Sequence, residues 1–335
     1  MVSAPFRWGV AGYGWVARDY FAAGLAEAGG TLSCVADPSA EARARAEADG
    51  ARAFADLGTM LDEARPDALY VASPNRAHPD AVAVAAERGV PVLCEKPMAA
   101  DLDGAEAIAE VVRATGVLYG TAFDQRHHPG HEAMAEAIAD GAVGTVAAIR
   151  VAYCCWVDPA WTRGTGDNWR ADPKAAGGGA VMDLAPHGLD LAQRLLGEPV
   201  VRLHVELQRR VHDYAVDDGG VLSGRTASGV LYSAHVAYNT PEALPRRRLE
   251  VVGSEGMLLA EDTMGQEPGG RVTRTDGRTG ERTPLRFDAD ASPFTRQAAA
   301  FARAARGGIH DFDVERDIQL MRTFCAAHEE ALACL

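Results

Sequence analysis

A glycine-rich turn between an apolar run and a helical pattern determines what the first part of this chain can become. Gly12-Tyr13-Gly14-Trp15-Val16-Ala17 directly follows the apolar residues 8–11. The first glycine permits a tight turn, the second lets a pyrophosphate approach the backbone, and the closing alanine permits close helix–strand packing. The N–H groups at the start of the helix would then face the phosphates. This context predicts a dinucleotide-binding turn.

The residues around this turn alternate between short apolar runs and helical patterns. Such alternation is typical of βαβ units in a parallel sheet, and strands that are apolar on both faces fit helices on both sides. We predict strands at residues 6–11, 31–36, 68–72, 91–94 and 117–122, and helices at 15–28, 40–48, 79–88 and 102–114. The fold class is therefore α/β, with a Rossmann doubly wound parallel sheet in residues 1–124.

The pattern changes after residue 124. We predict helices at 130–140, 179–195, 293–306 and 314–333, and strands at 145–156, 200–211, 220–223, 228–238 and 247–252. Residues 157–176 form an irregular polar stretch, and 263–280 a loop or hairpin. Neighbouring β runs joined by short turns indicate an antiparallel sheet. Residues 125–335 are thus expected to form an α+β domain on an open, mostly antiparallel sheet, with the last helix packing back on the domain junction.

The length and charge of the chain narrow the class of protein. At 335 residues it suits two domains, and its net charge of −14 argues against nucleic acid or anionic membranes as main partners. The acidity also favours neutral or cationic substrates. Alternatively, it serves only to keep the protein soluble. The apolar runs are too short for a membrane span and residues 1–7 lack an apolar signal core, so we expect a cytoplasmic protein. The six scattered cysteines contain no C-x-x-C pair, which fits reduced thiols better than a disulfide or zinc framework.

The end of the second predicted strand bears on the choice of cofactor. Asp37 follows this strand, with Pro38 after it. A carboxylate at this place can bind the ribose hydroxyls and would repel a 2′-phosphate. No basic residue follows until Arg43. We therefore expect NAD rather than NADP, although Asp37 could also be an N-cap or turn residue.

Two further motifs follow predicted strands of the parallel sheet, at the carboxyl edge where ligands bind. They are Ser73-Pro74-Asn75 with His78, and Glu95-Lys96-Pro97. Each motif has an ordinary structural explanation by itself, because Pro-Asn often starts a helix and Lys-Pro is a common loop dipeptide. Together with the glycine turn they are more specific.

The second half of the chain adds further motifs, which are Trp169-Arg170, Gly177-Gly178-Gly179-Ala180-Val181-Met182-Asp183, His187 with Asp190, and Gly253-Ser254-Glu255-Gly256. With them the chain resembles, over nearly its whole length, the Gfo/Idh/MocA oxidoreductases, which include glucose–fructose oxidoreductases and inositol dehydrogenases. The resemblance implies that Lys96, Asp183 and His187 form the catalytic group and that the Lys96–Pro97 bond is cis. The motifs and the resemblance together indicate these cofactor-binding residues: Gly12, Tyr13, Gly14, Trp15, Val16, Asp37, Pro38, Ser73, Pro74, Asn75, His78, Glu95, Lys96, Arg126, Trp169 and Arg170.

The chemistry of the implied catalytic residues agrees with these roles. Asp183 and His187 are four residues apart on a predicted helix, so both side chains leave one face. His187, with a pKa expected near the working pH, is a natural base for an alcohol proton. Lys96 can stabilise charge on the reacting oxygen, and Asp183 can orient the substrate or His187 and relay a proton. The same spacing also suits a surface pair or half a metal site, but no third ligand has convincing spacing, and we expect no metal.

The sequence therefore predicts an NAD(H)-dependent oxidoreductase acting on a secondary alcohol or ketone carbon of a sugar, amino sugar or cyclitol. The alternatives are an NAD-dependent glycosidase on the same fold and a non-catalytic NAD-binding regulator. The polar stretch around Asp167-Asn168 would suit an amino sugar, whereas Arg246-Arg247-Arg248 looks like a solvated strand start. Arg126 could equally be a surface residue. An open sheet with an apolar face predicts a homodimer or homotetramer.

Overall fold

The chain forms one parallel and one mostly antiparallel sheet, each packed against helices. The structure, a computed structural model, describes residues 4–158, 160, 168–213 and 215–335. Among these described residues, no helix is long and apolar enough to span a membrane. The predicted fold class is confirmed.

The N-terminal sheet has six strands, all parallel. They are β1 Phe6–Ala11, β2 Gly30–Ala36, β3 Arg52–Phe54, β4 Ala68–Val71, β5 Val92–Cys94 and β6 Tyr119–Thr121. Around the sheet lie α1 Ala40–Ala48, α2 Leu57–Ala64, α3 His78–Ala86, α4 Leu102–Thr115 and the π-helical segment Ala17–Ala22. The spatial order β3-β2-β1-β4-β5-β6 reverses direction between β1 and β4. In such sheets ligands bind at the carboxyl ends of the strands beside this reversal, which here follow β1 and β4.

Three elements of this half differ from the sequence predictions. The strand β3 was missed because it has only three residues at the sheet edge, where Arg52 is exposed. The helix α2 was missed as well. Its N-cap residue is Asp56, whose side chain accepts a hydrogen bond from the Thr59 N–H. The predicted helix over residues 15–28 is shorter, with a π-helical segment followed by turns before Gly29–Gly30.

The C-terminal sheet has eight strands. They are β7 Val146–Cys154, β8 Val200–Gln208, β9 Gly219–Thr226, β10 Leu231–Ala237, β11 Arg247–Gly253, β12 Gly256–Glu261, β13 Arg271–Asp276 and β14 Arg282–Leu285. The order is β14-β13-β12-β11-β7-β10-β9-β8, and only β7 and β10 pair in parallel. The segment predicted as a loop or hairpin, residues 263–280, contains strand β13 and the turn after it, whereas the paired strand β14 lies just beyond it. Strand β12 was not predicted. The helices are α5 Pro129–Ala139, α6 Pro173–Ala176, α7 Ala180–Leu196, α8 Pro293–Ala305 and α9 Val314–Leu332.

The face of this sheet that helices do not cover is more polar than the expected apolar surface. Val221 and Leu231 are half exposed on it. Their neighbours are mostly polar, however, and Glu250 pairs there with Arg150 across β7 and β11. The outward positions of the strands alternate Ser, His, Glu and Arg between the inward apolar ones, which explains the difference.

The helix α9 crosses from the second sheet to the first. It packs on α7 and on α4, where Arg113 forms an ion pair with Glu315 at 2.6 Å. The Thr121 N–H donates to the Asp317 carboxylate, which ties the end of β6 to the same helix. We propose a boundary between residues 124 and 125, with this helix holding the two parts together.

Candidate active site

One cavity lies between the carboxyl ends of the parallel strands and the helix-covered face of the second sheet. Its volume is about 180 Å³. The residues implied to be catalytic, Lys96, Asp183 and His187, all line it, together with Gly14 and Trp15 from the glycine turn. The structure therefore brings residues far apart in sequence into one cleft.

Lys96 extends from the loop after β5 and meets Asp183 on α7. Its Nζ donates to Asp183 Oδ1 at 2.6 Å and to the Asp183 backbone carbonyl at 3.1 Å. The peptide bond between Lys96 and Pro97 is cis, as predicted. The ammonium group carries three hydrogens, so these two bonds leave one hydrogen for another acceptor.

Asp183 is held from two sides. The Tyr238 hydroxyl donates to Asp183 Oδ2 at 2.6 Å, while Lys96 occupies Oδ1. Burial opposes ionisation of this carboxyl, but the charges of Lys96 and Arg170 and the hydrogen bonds from Lys96 and Tyr238 outweigh it. The pKa of Asp183 is consequently lowered. The side chain is an anion that fixes the lysine.

The start of α7 is anchored so that Asp183 faces the cavity. The Asp217 carboxylate accepts hydrogen bonds from the N–H groups of Gly179 and Val181, both at 2.8 Å. A Cβ at Gly179 would lie 1.9 Å from the Asp217 carbonyl oxygen, so only glycine permits this approach. The glycine run thus brings the helix start against the loop that contains Asp217, a residue that no sequence motif indicated.

His187 lies one helical turn beyond Asp183 and is buried against aromatic side chains. Its ring centroid is 5.5 Å from that of Tyr153. Its Nδ1 is 3.6 Å from Asp124 Oδ1 and has no hydrogen-bond partner among the described residues. Burial and the nearby Lys96 charge lower the pKa of His187 well below its usual 6.5. The expectation of a pKa near the working pH is therefore wrong, because desolvation favours the neutral imidazole.

Two carboxyl groups lie behind Lys96 and His187, the buried Asp124 and the partly buried Glu95. Burial and the neighbouring Glu95 raise the pKa of Asp124 to about 7. Burial also raises the pKa of Glu95, which accepts a hydrogen bond from the Tyr70 hydroxyl. Both line the cavity. Asp124 is thus a carboxyl that can change protonation state near neutral pH beside the histidine.

The glycine turn is shaped to hold a dinucleotide. Gly12 has φ +88°, and a Cβ there would lie 2.7 Å from the Ser73 backbone nitrogen. At Gly14, by contrast, a Cβ would meet no described atom within 4 Å, so the backbone is open towards the cavity. The side chains of Trp15 and Val16 continue this lining. These residues fit the pyrophosphate-binding role of such turns.

Asp37 stands beside this turn at the end of β2. Its Oδ2 accepts a hydrogen bond from the Tyr13 N–H and its Oδ1 from the Ser39 N–H, both at 2.8 Å. Each oxygen keeps a further lone pair for a hydroxyl donor. Pro38 is exposed, and Arg43 reaches back to donate to the backbone carbonyls of Asp37 and Pro38. A cation close to this carboxylate was not expected from the sequence.

The other predicted contacts on the cofactor side lie around Trp15. The Arg170 guanidinium is 5.7 Å from the Trp15 ring centroid and 4.4 Å from that of Trp169. Ser73 and Asn75 also line the cavity, and the Asn75 amide donates to the Ala176 carbonyl.

Other predicted cofactor contacts are placed elsewhere. Arg126 is buried and forms a two-pronged ion pair with Asp190, with Nε–Oδ2 at 2.7 Å, and it lines a separate cavity. The ring of His78 is fully buried and bonds to backbone carbonyls, including that of Ser73 at 2.9 Å. The Tyr13 hydroxyl donates to Asp49, so only its backbone belongs to the turn. Pro74 precedes the turn of 3-10 helix Asn75–Ala77. Direct cofactor contact by Arg126 and His78 stays a prediction, and the buried partners that occupy both side chains count against it.

Sequence reasoning also missed residues that the structure places in the cavity. They come from the second sheet and its loops and are Tyr153, Cys155, Trp156, Tyr238, Arg246 and Arg247, with Asp124 from the junction. The two arginines contradict the interpretation of residues 246–248 as a merely solvated strand start. No group of three or more potential metal ligands occurs among the described residues. Asp167 of the predicted amino-sugar stretch lies outside them.

The doubly wound sheet, the open glycine turn and the Lys96–Asp183 pair beside a buried histidine define a two-domain, dinucleotide-dependent oxidoreductase. Comparison with known proteins specifies the class further. Residues 6–123 match the description "Oxidoreductase family, NAD-binding Rossmann fold", and residues 131–259 match "GFO/IDH/MocA C-terminal domain". The chain belongs to the GFO/IDH/MocA family of NAD-binding oxidoreductases, so the resemblance predicted from the sequence is confirmed.

Several relatives with assigned activities match most of the chain. A 1,5-anhydro-D-fructose reductase from Ensifer adhaerens is 29% identical over 304 residues, covering 90% of this chain and 88% of that protein. A D-xylose 1-dehydrogenase (NADP(+)) from Haloferax volcanii is 32% identical over 297 residues, covering 87% of each. Among solved structures, aldose-aldose oxidoreductase from Caulobacter crescentus superposes with a TM-score of 0.86 at 21% identity, covering 99% of this chain and 98% of that one. Levoglucosan dehydrogenase with NADH and levoglucosan gives 0.84 at 21% identity, covering 98% of both chains. These two structures share the fold.

Proposed function

We propose that this protein moves a hydride between NAD(H) and a secondary alcohol or ketone carbon of a sugar or cyclitol, with Lys96, Asp183 and His187 as its catalytic residues. The observation that carries the proposal is their convergence beside the open glycine turn in one cavity. Relatives named as a D-xylose dehydrogenase and as inositol 2-dehydrogenase 2 from Paenarthrobacter aurescens support the substrate class.

Lys96 holds the reacting oxygen in this proposal. Two of its three hydrogens are used by Asp183, and the third is directed by that fixed geometry towards a substrate oxygen. A preorganised ammonium group stabilises negative charge that develops on the oxygen as the alcohol is oxidised. Asp183, itself fixed by Tyr238, keeps the ammonium in place.

His187 and Asp124 move the proton. A neutral imidazole accepts the hydroxyl proton at Nε2 and passes the proton on Nδ1 to Asp124 once these two groups close from the present Nδ1–Oδ1 distance of 3.6 Å to hydrogen-bond distance. Since the pKa of Asp124 is raised to about 7, this carboxyl can take the proton near neutral pH and release it later. When bound, the nicotinamide supplies the hydride acceptor or donor. In the reductive direction the same groups return the proton.

NAD is the proposed cofactor, held by the turn at Gly12–Val16, with Asp37 on the adenine-side ribose. The Asp37 carboxylate supports NAD over NADP, because it suits ribose hydroxyls and repels a 2′-phosphate. Arg170, whose guanidinium lies against the rings of both Trp15 and Trp169, would cover the turn from the second domain together with Trp169.

A homodimer or homotetramer is proposed through the open face of the second sheet. Val221 and Leu231 supply exposed apolar positions on this otherwise polar face, and the ionic residues of the same face offer polar complementarity. A cytoplasmic location is proposed as well. All six cysteines are free thiols, including the neighbours Cys154 and Cys155, which fits a reducing compartment.

A turnover panel tests the function. The purified protein is incubated with NAD and single sugars, cyclitols or sugar nucleotides, and NADH absorbance and sugar products are followed together. The proposal predicts stoichiometric NADH and a keto product. Release of free sugar without net NADH would instead indicate the glycosidase, and NAD binding with no turnover of any compound would indicate the regulator.

A further inference from the structure

Two arginines at the start of β11 line the substrate side of the cavity. Arg247 stands opposite Tyr153 in the antiparallel pairing of β11 with β7. Paired residues project from the same face of a sheet, so Arg247 shares the helix-covered face with Tyr153. The Tyr153 ring is in turn 5.5 Å from that of His187. The guanidinium of Arg247 is therefore one side chain away from the proposed proton acceptor.

Arg247 differs from its two neighbours in its partners. Arg246 faces Glu242 at 3.6 Å, and Arg248, on the other face of the strand, bonds to Glu250. Among the described residues, no carboxylate pairs with Arg247, and its buried Nε has no hydrogen-bond partner. Leaving a buried polar donor unsatisfied is costly, so this guanidinium calls for an acceptor that the described residues themselves do not supply.

The loop after β12 is built to accommodate this guanidinium. A Cβ at Gly265 would lie 2.3 Å from Arg247 Nη1, and Gly265 has φ +134°. The next residue, Gln266, lines the cavity as well. The loop thus packs closely on Arg247 and holds it in the cavity wall.

The position of Arg247 separates it from the cofactor phosphates. The glycine turn and Arg170 lie on the Rossmann side around Trp15, whereas Arg247 belongs to the second sheet. The positive charge of Lys96, by contrast, is already balanced by Asp183. An uncompensated guanidinium beside the reacting centre selects an anionic group on the substrate.

We propose that Arg247, with Arg246 beside it, binds an anionic substituent of the substrate, either a carboxylate or a phosphoryl group. The planar fork of an arginine matches both groups with two parallel hydrogen bonds. The proposal rests on the proposed function and gives it a substrate class, sugar acids or sugar phosphates. It differs from the amino sugar expected from the acidic composition, because Glu242 is paired with Arg246 in this part of the cavity whereas Arg247 has no carboxylate partner among the described residues.

Matched substrate pairs test the proposal. Values of kcat/KM with NAD are measured for D-glucose against D-glucuronate, D-galactose against D-galacturonate, and D-glucose against D-glucose 6-phosphate. In the wild type the anionic member of at least one pair is preferred, and the pair identifies carboxylate or phosphoryl recognition. Arg247→Met should lower the anionic-to-neutral ratio roughly 10- to 100-fold, the worth of a hydrogen bond between charged groups. Arg247→Lys keeps the charge without the fork and should lose part of that ratio.

Arg248→Met is the matched control, since it removes the same charge one residue along the strand and outside the cavity. Binding of each sugar to the NADH-loaded enzyme is measured by calorimetry in parallel. If the wild type uses and binds the neutral members equally well or better, the inference is overturned, but the proposed dehydrogenase function is not. The inference is also overturned if Arg247→Met and Arg248→Met change the anionic-to-neutral ratio of kcat/KM by the same factor. Arg247-dependent binding of an anionic member with no turnover of any sugar supports the inference while counting against the proposed function.

Discussion

Asp124→Asn should flatten the pH dependence of folding stability. Folding raises the pKa of this carboxyl from 3.8 to about 7, through burial and the neighbouring Glu95. A carboxyl with a raised pKa favours the folded state while it is protonated, so its contribution is complete below its unfolded pKa and is lost as the pH rises through about 7. At ~1.36 kcal/mol per pKa unit, the loss between pH 5 and pH 8 is roughly 2.5 kcal/mol. Asparagine removes this contribution, and its side-chain oxygen can still accept from Gln125, whose amide is 2.7 Å from Asp124 Oδ2.

Urea unfolding at a series of pH values measures this effect. The free energy of unfolding of the wild type, minus that of Asp124→Asn, should fall by roughly 2.5 kcal/mol as the pH rises from 5 to 8. Asp290→Asn, at an exposed loop position, serves as the control and should follow the wild-type profile. Parallel profiles for the wild type and Asp124→Asn would show that Asp124 stays ionised in the folded protein. The proposed proton transfer from His187 would then fail, because a carboxylate whose pKa is not raised is too weak a base to take the proton from the imidazole.

Three further predictions concern the cofactor, the lysine and the assembly. Asp37→Ala should raise the affinity for NADP relative to NAD, since Arg43 remains beside the ribose site; calorimetric titration of both dinucleotides checks this, and tighter NADP binding by the wild type would contradict it. Lys96→Met should lower kcat/KM roughly 10²–10³-fold, the usual cost of losing a donor to a developing oxyanion, and also weaken NAD binding; an unchanged rate of NADH formation would exclude Lys96 from the reaction. Sedimentation velocity at micromolar concentration should show a dimer or tetramer that Val221→Asp dissociates, and a wild-type monomer would rule out the proposed interface.

Local patterns were sufficient for most of the fold. Strand β1 was predicted with its observed limits, because an apolar run followed by a glycine turn has few other solutions. Strand β3 could not be recognised, since three residues at a sheet edge give neither alternation nor a long apolar run. Strand β12 lies between two turn signals, and only its pairing with β11 and β13 distinguishes it from a loop.

Only part of the site could be predicted from the sequence, because the rest depends on strand pairing between distant segments. Lys96, Asp183 and His187 stand in recognisable motifs. Tyr238 and Arg247, by contrast, reach the cavity through the pairing of β7 with β10 and β11, strands that are far apart along the chain. No local pattern encodes such a register.

Buried partners count against two of the predicted cofactor contacts, those of Arg126 and His78. The partner of Arg126, Asp190, is 64 residues away, and only the folded chain shows that the guanidinium is occupied. The pKa expected for His187 was wrong because the burial and the Lys96 charge that lower it are properties of the fold, which no local pattern shows.

Single-turnover kinetics of His187→Ala test the central claim most directly. Enzyme loaded with NAD is mixed with the best substrate of the turnover panel, and NADH absorbance reports hydride transfer. His310→Ala, which removes an exposed histidine outside both the cavity and the open sheet face, is the control and should react at the wild-type rate. His187→Ala should slow hydride transfer roughly 10²–10⁴-fold while the calorimetric affinity for NAD stays close to that of the wild type. A near-normal rate in His187→Ala would contradict the account, because the proton would then leave the substrate without the one imidazole that the cavity presents among its described lining residues.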